Sequence, residues 1–228
     1  MNFNDYVTQG AAFFEKNEFG PALENFKAAL QLNPDNTNIQ NFVRMLEEKI
    51  RMEKQASQAL ADEAKHRAEA MGIKVEDVDR VIAECTETLK RNPNDASAKS
   101  GLALLYYIRG LEFMSDGDYG QAIKDYNEAI KYQPDYPHAF NKRGQAYLAN
   151  GECNNAIKDF EKLIQPNQNN KTAENLLANA YMKSGIEHDK KKDYARAMSD
   201  YEMVLKFRPD DTTARKLLEM AKAEKAKQ

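Results

Sequence analysis

The sequence has few of the features that mark a secreted or membrane-spanning protein. It contains only two cysteines in 228 residues. Cys85 and Cys153 are too few for a disulfide scaffold, so we interpret both as small core side chains. No window is apolar for long enough to span a bilayer, and the polar start is unlike a secretory signal. We therefore expect a cytoplasmic protein without membrane insertion, unless a signal peptide once preceded Met1.

Neither sign of charge is in clear excess. The 33 Lys and Arg residues are balanced by 36 Asp and Glu residues, which gives a net charge of −3 and a pI near 5.8. Nucleic acids and anionic membranes attract a basic field, and this composition does not supply one. The sequence therefore predicts no nucleic-acid partner.

Motifs for catalysis are also missing. There is no Gly-rich phosphate loop, no His-Glu-x-x-His helix and no closely spaced cysteine pair. His66, His138 and His188 fall on different predicted helices, without an acidic or cysteine partner at metal-ligand spacing. We expect no enzyme activity, no catalytic residues, no cofactor and no bound metal.

What the sequence does contain is a recurring series of aromatic and small residues around residues 103–136. This series comprises Tyr106, Gly110, Phe113, Tyr119, Ala122, Tyr126, Ala129 and Pro134. Partial or complete copies start at Tyr6, Phe140 and Tyr181, and a degraded copy ends at Pro93. A small residue at a helix crossing permits close approach, and a proline ends the second helix.

The series resembles the tetratricopeptide repeat, a helix–turn–helix unit of 34 residues. The resemblance implies an all-α solenoid of about five stacked antiparallel helix pairs in a superhelix, because one hairpin cannot bury its apolar face alone. We also predict an elongated or inserted helix in the second repeat and a capping helix at the C-terminus. The predicted boundaries are 1–36, 37–95, 96–136, 137–170 and 171–211 for the five repeats, with extended first helices in the third and fifth, and 212–228 for the capping helix and a frayed tail.

The second repeat contains about 25 inserted residues near positions 50–75. From Asn36 to Met71 the chain has neither Pro nor Gly, so a continuous helix is expected, or else a helical hairpin broken near residues 55–57. Three roles remain open for it. The insertion packs on its own chain or on a second copy of it, contacts another protein, or stays solvated.

The resemblance also implies which positions line the groove formed by the first helices of the repeats. In the third repeat all of them are apolar, so something must cover them: either this chain or a copy of it, or a foreign helix or peptide. The predicted partner-binding residues are Leu104, Tyr107, Ile108, Leu111, Met114, His138, Asn141, Lys142, Gln145, Met182 and Lys183. Asn side chains can hold a peptide backbone, and Lys142 and Lys183 favour an acidic ligand.

One known activity of the family can be compared residue by residue. Tetratricopeptide co-chaperones grip the acidic tail of chaperones with a clamp of Lys and Asn side chains. Of the clamp positions, only Lys142 and Lys183 match, whereas Tyr107 and Leu111 stand where Lys and Asn are needed. The sequence therefore predicts a scaffold that binds another peptide or amphipathic helix around the third and fourth repeats. The alternative is a structural or adaptor protein that forms homo-oligomers through residues 50–75.

Overall fold

The fold consists of helices joined by short turns. The computed structural model describes residues 1–15, 19–70, 77–164 and 170–227, and within these ranges it has no β-strand. The helices are α1 (Phe3–Glu15), α2 (Phe19–Leu32), α3 (Thr37–Ala70), α4 (Val78–Arg91), α5 (Ala96–Asp116), α6 (Tyr119–Tyr132), α7 (Pro137–Ala149), α8 (Cys153–Ile164), α9 (Lys171–Lys190), α10 (Tyr194–Phe207) and α11 (Thr212–Lys225). The predicted all-α class is confirmed.

The helices form two compact units, Met1–Asp62 and Glu63–Gln228. In the first unit, α2 packs through Phe26 against Val43 and Leu46 of α3. The helix α3 is continuous over 34 residues, so the predicted elongated helix is confirmed and a break near residues 55–57 is not observed. Residues 71–75 of the predicted insertion lie outside the described ranges. Among the described helices, none is both long and apolar enough to cross a membrane.

In the second unit, each helix from α4 to α11 packs against the next one along the chain. Buried side chains of one pair contact the following pair; Leu177 of α9, for example, belongs to the same core cluster as Phe160 of α8. The helix α11 closes the array because Ala214 and Leu218 cover Tyr201 of α10. The predicted stacking of helix pairs and the C-terminal capping helix are both confirmed. The exact boundaries between repeats remain a prediction.

Local sequence signals explain where several helices begin and end. Asp95 and Asp211 are N-cap residues whose carboxylates accept hydrogen bonds from Ala98 N and Ala214 N at 2.9 Å. The helix α5 ends at Gly117, whose φ of 79° lies in the left-handed region that glycine adopts without steric cost.

Glycines of the recurring series lie where the two helices of a repeat cross. A Cβ atom built on Gly110 would lie 2.6 Å from Tyr126 Cε1, and one on Gly185 would lie 2.6 Å from Tyr201 Cε1. Real Cβ atoms do not approach other atoms this closely. The prediction that Gly110 marks a close helix contact is confirmed.

The aromatic residue at the helix crossing carries a hydroxyl group in some repeats and lacks it in another. Tyr126 and Tyr201 are fully buried, and no group among the described residues hydrogen-bonds either hydroxyl. The equivalent residue of α8, Phe160, is also fully buried and carries no hydroxyl. A buried hydroxyl without a hydrogen bond is destabilising.

We therefore expect Tyr126→Phe and Tyr201→Phe each to raise the free energy of unfolding by about 1 kcal/mol. The matched reverse substitution, Phe160→Tyr, should lower it by a similar amount. Urea denaturation followed by circular dichroism measures all three. A loss of stability in both Tyr→Phe variants would show that the two hydroxyls do form hydrogen bonds.

Candidate functional site

The apolar side of α5 is buried. Leu104, Tyr107, Ile108 and Leu111 are each at most 5% exposed, and Met114 is half-buried. The sequence analysis expected these residues to line an open groove unless something covered them. The structure shows four of them closed off from solvent by the chain itself, which is one of the two kinds of cover that the sequence left open. Their role in binding a partner remains a prediction.

Residues 63–70, the end of α3, lie alongside α5, and we call them the cover segment. Lys65 Nζ and Glu112 Oε1 of α5 are 3.1 Å apart. Ala64 and Ala68 are buried at 7% and 0% exposure, on one face of the helix because they are four residues apart. The inserted helix therefore packs on its own chain at α5, which is one of the roles left open by the sequence.

Two tyrosines connect the cover segment to the start of α7. The rings of Tyr107 and Tyr136 are 5.2 Å apart. Burial raises the pKa of Tyr107, with smaller contributions from Tyr136 and from Glu63 of the cover segment. Burial also raises the pKa of Tyr136 to about 12, and Arg67 of the cover segment acts in the opposite direction. Both hydroxyls are therefore neutral hydrogen-bonding groups at neutral pH.

The predicted binding residues of α7 are more accessible than those of α5. His138 is exposed, with its ring 6.3 Å from that of Tyr136. Asn141 and Gln145 are half-buried and linked, since Gln145 Nε2 donates to Asn141 Oδ1 at 2.7 Å. Lys142 is buried, and this burial lowers its pKa. The α7 wall, which we define as His138, Asn141 and Gln145, thus presents polar groups beside the covered face of α5.

The predicted residues of α9 serve mainly as structural contacts. Met182 is buried in a cluster with Tyr201. Lys183 Nζ donates a hydrogen bond of 2.8 Å to Leu148 O, so this lysine ties α9 to α7. The structure therefore brings the α5 residues, the α7 wall and Lys183 onto neighbouring first helices but does not make all of them accessible.

An Arg–Asp ion pair that recurs between the two helices of a repeat was not predicted from the sequence. Arg109 donates to Asp125 through Nε and Nη2, both at 2.7 Å, and also binds Asp79 of α4. Arg143 likewise donates to Asp159 at 2.7 and 2.6 Å, and to Asn127 of α6 at 2.7 Å. Each guanidinium thus ties three helices together. The available signal was an Arg just before the glycine and an Asp just before the aromatic residue.

In the fifth repeat, other side chains contact the aspartate in place of this arginine. Ser184 Oγ donates to Asp200 Oδ2 at 2.7 Å, and His188 Nδ1 lies 2.8 Å from the same oxygen. In the sequence, His188 has no acidic partner at metal-ligand spacing, but in the structure its side chain is only 18% exposed and contacts this carboxylate. The serine and the histidine together occupy the place of the guanidinium.

A polar cleft of about 460 Å³ lies beside this cluster, between the start of α8 and the end of α9. It is lined in part by Cys153, whose thiol lies 3.5 Å from Glu187 Oε1. Burial, followed by the charge of Glu187, raises the pKa of the Cys153 thiol to about 12. A protonated thiol is a poor nucleophile and a poor metal ligand. Within the described ranges, no three His, Cys, Asp or Glu side chains are grouped to hold a metal ion.

Comparison with known proteins agrees with this geometry. A family model described as TPR repeat matches residues 110–151, and one described as Tetratricopeptide repeat matches residues 137–170 and 178–211. Residues 110–170 and 178–211 consist of tetratricopeptide repeats. The matched ranges include the glycine crossings of α5, α7 and α9, so the tetratricopeptide resemblance expected from the sequence is confirmed.

Among relatives, this chain is similar to the Glycine max protein named Hsp70-Hsp90 organizing protein 1, with 30% identity over 121 residues. That match covers 52% of this chain but only 20% of the relative, about a fifth of its length. Two solved structures are also similar. The second TPR domain of human RPAP3 in complex with an HSP70 peptide is 25% identical, with 53% of this chain and 95% of that chain covered and a TM-score of 0.38. The TPR2AB domain of yeast Sti1 in a pHSP90 complex is 17% identical, with 96% and 98% covered and a TM-score of 0.36.

Proposed function

We propose that this chain is a non-enzymatic interaction module that binds an extended peptide of a partner protein on the α7 wall, beside the third repeat. The observation that carries the proposal is the pairing of Asn141 with Gln145, half-exposed on a first helix. A carboxamide offers both a donor and an acceptor, as a peptide backbone does, and can therefore bind backbone groups of many sequences. The exposed imidazole of His138 extends the same surface.

The electrostatics of the wall favour an acidic peptide. Lys142 lies among these residues, and burial lowers its pKa. A carboxylate brought near it would favour the charged ammonium and offset part of that desolvation. Lys183, half-buried and bonded to Leu148 O, adds a second cationic group on the neighbouring helix.

The name of the Glycine max relative suggests chaperone proteins as candidate partners. The residues of this chain do not favour that choice. At the clamp positions, Tyr107 and Leu111 replace the required Lys and Asn, and both are buried. We therefore propose an acidic segment other than a chaperone tail. An HSP70 tail peptide that binds in the micromolar range and is displaced by salt would contradict this.

The state of the thiol in the polar cleft supports a non-enzymatic role. Burial raises the pKa of the Cys153 thiol to about 12, so the thiol stays protonated and is a poor nucleophile. The alternative of a protein that homo-oligomerises through residues 50–75 is less well supported, because a segment of the same chain lies on α5. A cytoplasmic location remains a prediction from the sequence.

The proposal is tested by affinity capture from the native source with an Asn141→Ala, Gln145→Ala double variant. We expect the captured partner to decrease at least about tenfold relative to the unmodified chain, because two backbone-binding groups are lost. The matched control is Gln121→Ala, which removes an exposed carboxamide from α6, a second helix. Equal capture by the double variant and the control, with unchanged circular dichroism, would refute the α7 wall as the binding site.

A further inference from the structure

The contact between the cover segment and α5 shows what kind of ligand this face accepts. The cover segment is a helix that presents two small side chains, Ala64 and Ala68, on its buried face. Small side chains let a helix backbone come close to a surface already filled with large residues. On α5 those large residues include Tyr107 and Leu111.

Charge fixes the orientation of the helix on this face. Lys65 pairs with Glu112 at 3.1 Å, while Glu63 and Arg67 lie near Tyr107 and Tyr136. A basic residue on the docked helix is therefore matched by an acidic residue at the edge of the α5 face. This match is specific to sign, so it can be reversed experimentally.

The cover segment is held weakly. Its buried side chains are alanines, which contribute little apolar area. The Lys65 and Glu112 side chains are 36% and 48% exposed, and an ion pair so accessible to water contributes little to stability. What favours the closed state is that the segment belongs to the same chain, because a tethered ligand has a high effective concentration.

We propose that the α5 face is a docking site for an amphipathic helix of a partner protein, with small side chains four residues apart and a basic residue opposite Glu112. The cover segment occupies this face until such a helix replaces it. The inference rests on the proposed function as an interaction module but names a second surface and a different ligand from the extended peptide on the α7 wall.

The test uses the full chain and a fluorescent synthetic helix with the sequence of residues 56–70, ASQALADEAKHRAEA. In the chain, Ala68→Glu places a carboxylate in the buried contact and opens the face. The matched control is Ala70→Glu, because Ala70 is exposed two residues further along the same helix. We expect the Ala68→Glu chain to bind the probe at least about tenfold more tightly than the unmodified and Ala70→Glu chains.

The sign of the charge at position 112 provides an independent test of the proposal. Adding Glu112→Lys to the Ala68→Glu chain should reduce binding of this probe about threefold to tenfold, because a weak attraction becomes a repulsion. A probe with glutamate at the position of Lys65 should then bind again. Lys65→Glu is the second opening variant, because it replaces a weak attraction to Glu112 by a repulsion. It changes only a partly exposed side chain, so it decides the matter if Ala68→Glu does not fold.

Three results would overturn the proposal. The first is probe binding by folded Ala68→Glu and Lys65→Glu chains that is no tighter than by Ala70→Glu. The second is binding that does not depend on the charge at position 112. The third is a stable dimer of the unmodified chain, detected by light scattering and dissociated by Ala68→Glu, which would assign the face to a second copy. Capture through Asn141 and Gln145 is measured separately, so failure of either proposal is recognised without the other.

Discussion

Gly144→Ala is expected to lower the free energy of unfolding by about 3 kcal/mol, because the added methyl group overpacks the crossing of α7 and α8. A Cβ atom on Gly144 would lie 2.5 Å from Cε1 and 2.8 Å from Cζ of Phe160. Phe160 is fully buried, so its ring has no space into which to turn. The gain in helix propensity from Gly to Ala, about 1 kcal/mol, is smaller than this loss. Urea denaturation measures the difference.

The control for this prediction is Gly120→Ala in α6. A Cβ atom there meets only Asp118 Oδ1, at 3.8 Å, and the residue is exposed. We expect no loss of stability, or a gain of up to about 0.5 kcal/mol from helix propensity. In the Gly144→Ala chain, Phe160→Leu should cost less than it does alone, since it relieves the overlap. Equal losses at Gly144 and Gly120 would contradict the steric explanation.

The crossings were predictable because a steric requirement acts at fixed sequence spacing. A close helix contact requires a residue without a side chain, and the ring that fills the space must follow at a set distance in the second helix. Gly110 with Tyr126 and Gly144 with Phe160 show the same spacing, so each pair supports the other. The stacking of helix pairs follows from this repetition.

The covered face of α5 was not predictable in the same way. The sequence showed that Tyr107 and Leu111 need cover, but not which segment supplies it. The cover segment is distant in sequence and its Ala stripe is weakly apolar, so periodicity alone does not pair it with α5. The decisive contact, Lys65 with Glu112, is one of many opposite-charge pairs that the sequence allows.

The arginine–aspartate pairs represent an intermediate case. Arg143 and Asp159 stand at the same spacing as Arg109 and Asp125, so the recurrence was available in the sequence. However, the fifth repeat has Ser184 in the arginine position, which breaks the pattern. Charged residues are also abundant on solvated helix faces, so their burial became evident only from the packed structure.

Breaking the buried pair is expected to have the largest effect of any charge change in this chain. Asp159→Leu should lower the free energy of unfolding by about 3–5 kcal/mol, because it leaves the guanidinium of Arg143 without its counter-ion. The Asp159 and Arg143 side chains are only 6% and 16% exposed, so water cannot replace the lost carboxylate. Urea denaturation of the variant, with circular dichroism as the signal, measures the loss.

Removing both charges together should lower the free energy of unfolding much less. Burial raises the pKa of Asp159 above its ordinary value, although two hydrogen bonds from Arg143 act in the opposite direction. Although burial acts in the opposite direction, the hydrogen bonds to Asp159 raise the pKa of Arg143. Desolvation of a buried ion pair generally offsets much of the attraction between its charges, so we expect the pair as a whole to contribute little net stability. The double variant Arg143→Met, Asp159→Leu is expected to be within about 1 kcal/mol of the unmodified chain, since similar volumes of apolar side chain replace the ions.

An exposed pair supplies the comparison that isolates burial as the cause. Lys131 Nζ and Glu128 Oε2 are 2.7 Å apart, like the buried pair, but their side chains are 62% and 36% exposed. Glu128→Leu should change the free energy of unfolding by less than about 1 kcal/mol, because water solvates the remaining ammonium. If Glu128→Leu and Asp159→Leu cost the same, or if the double variant at Arg143 and Asp159 is as unstable as Asp159→Leu alone, the stranded buried charge is not the source of the loss.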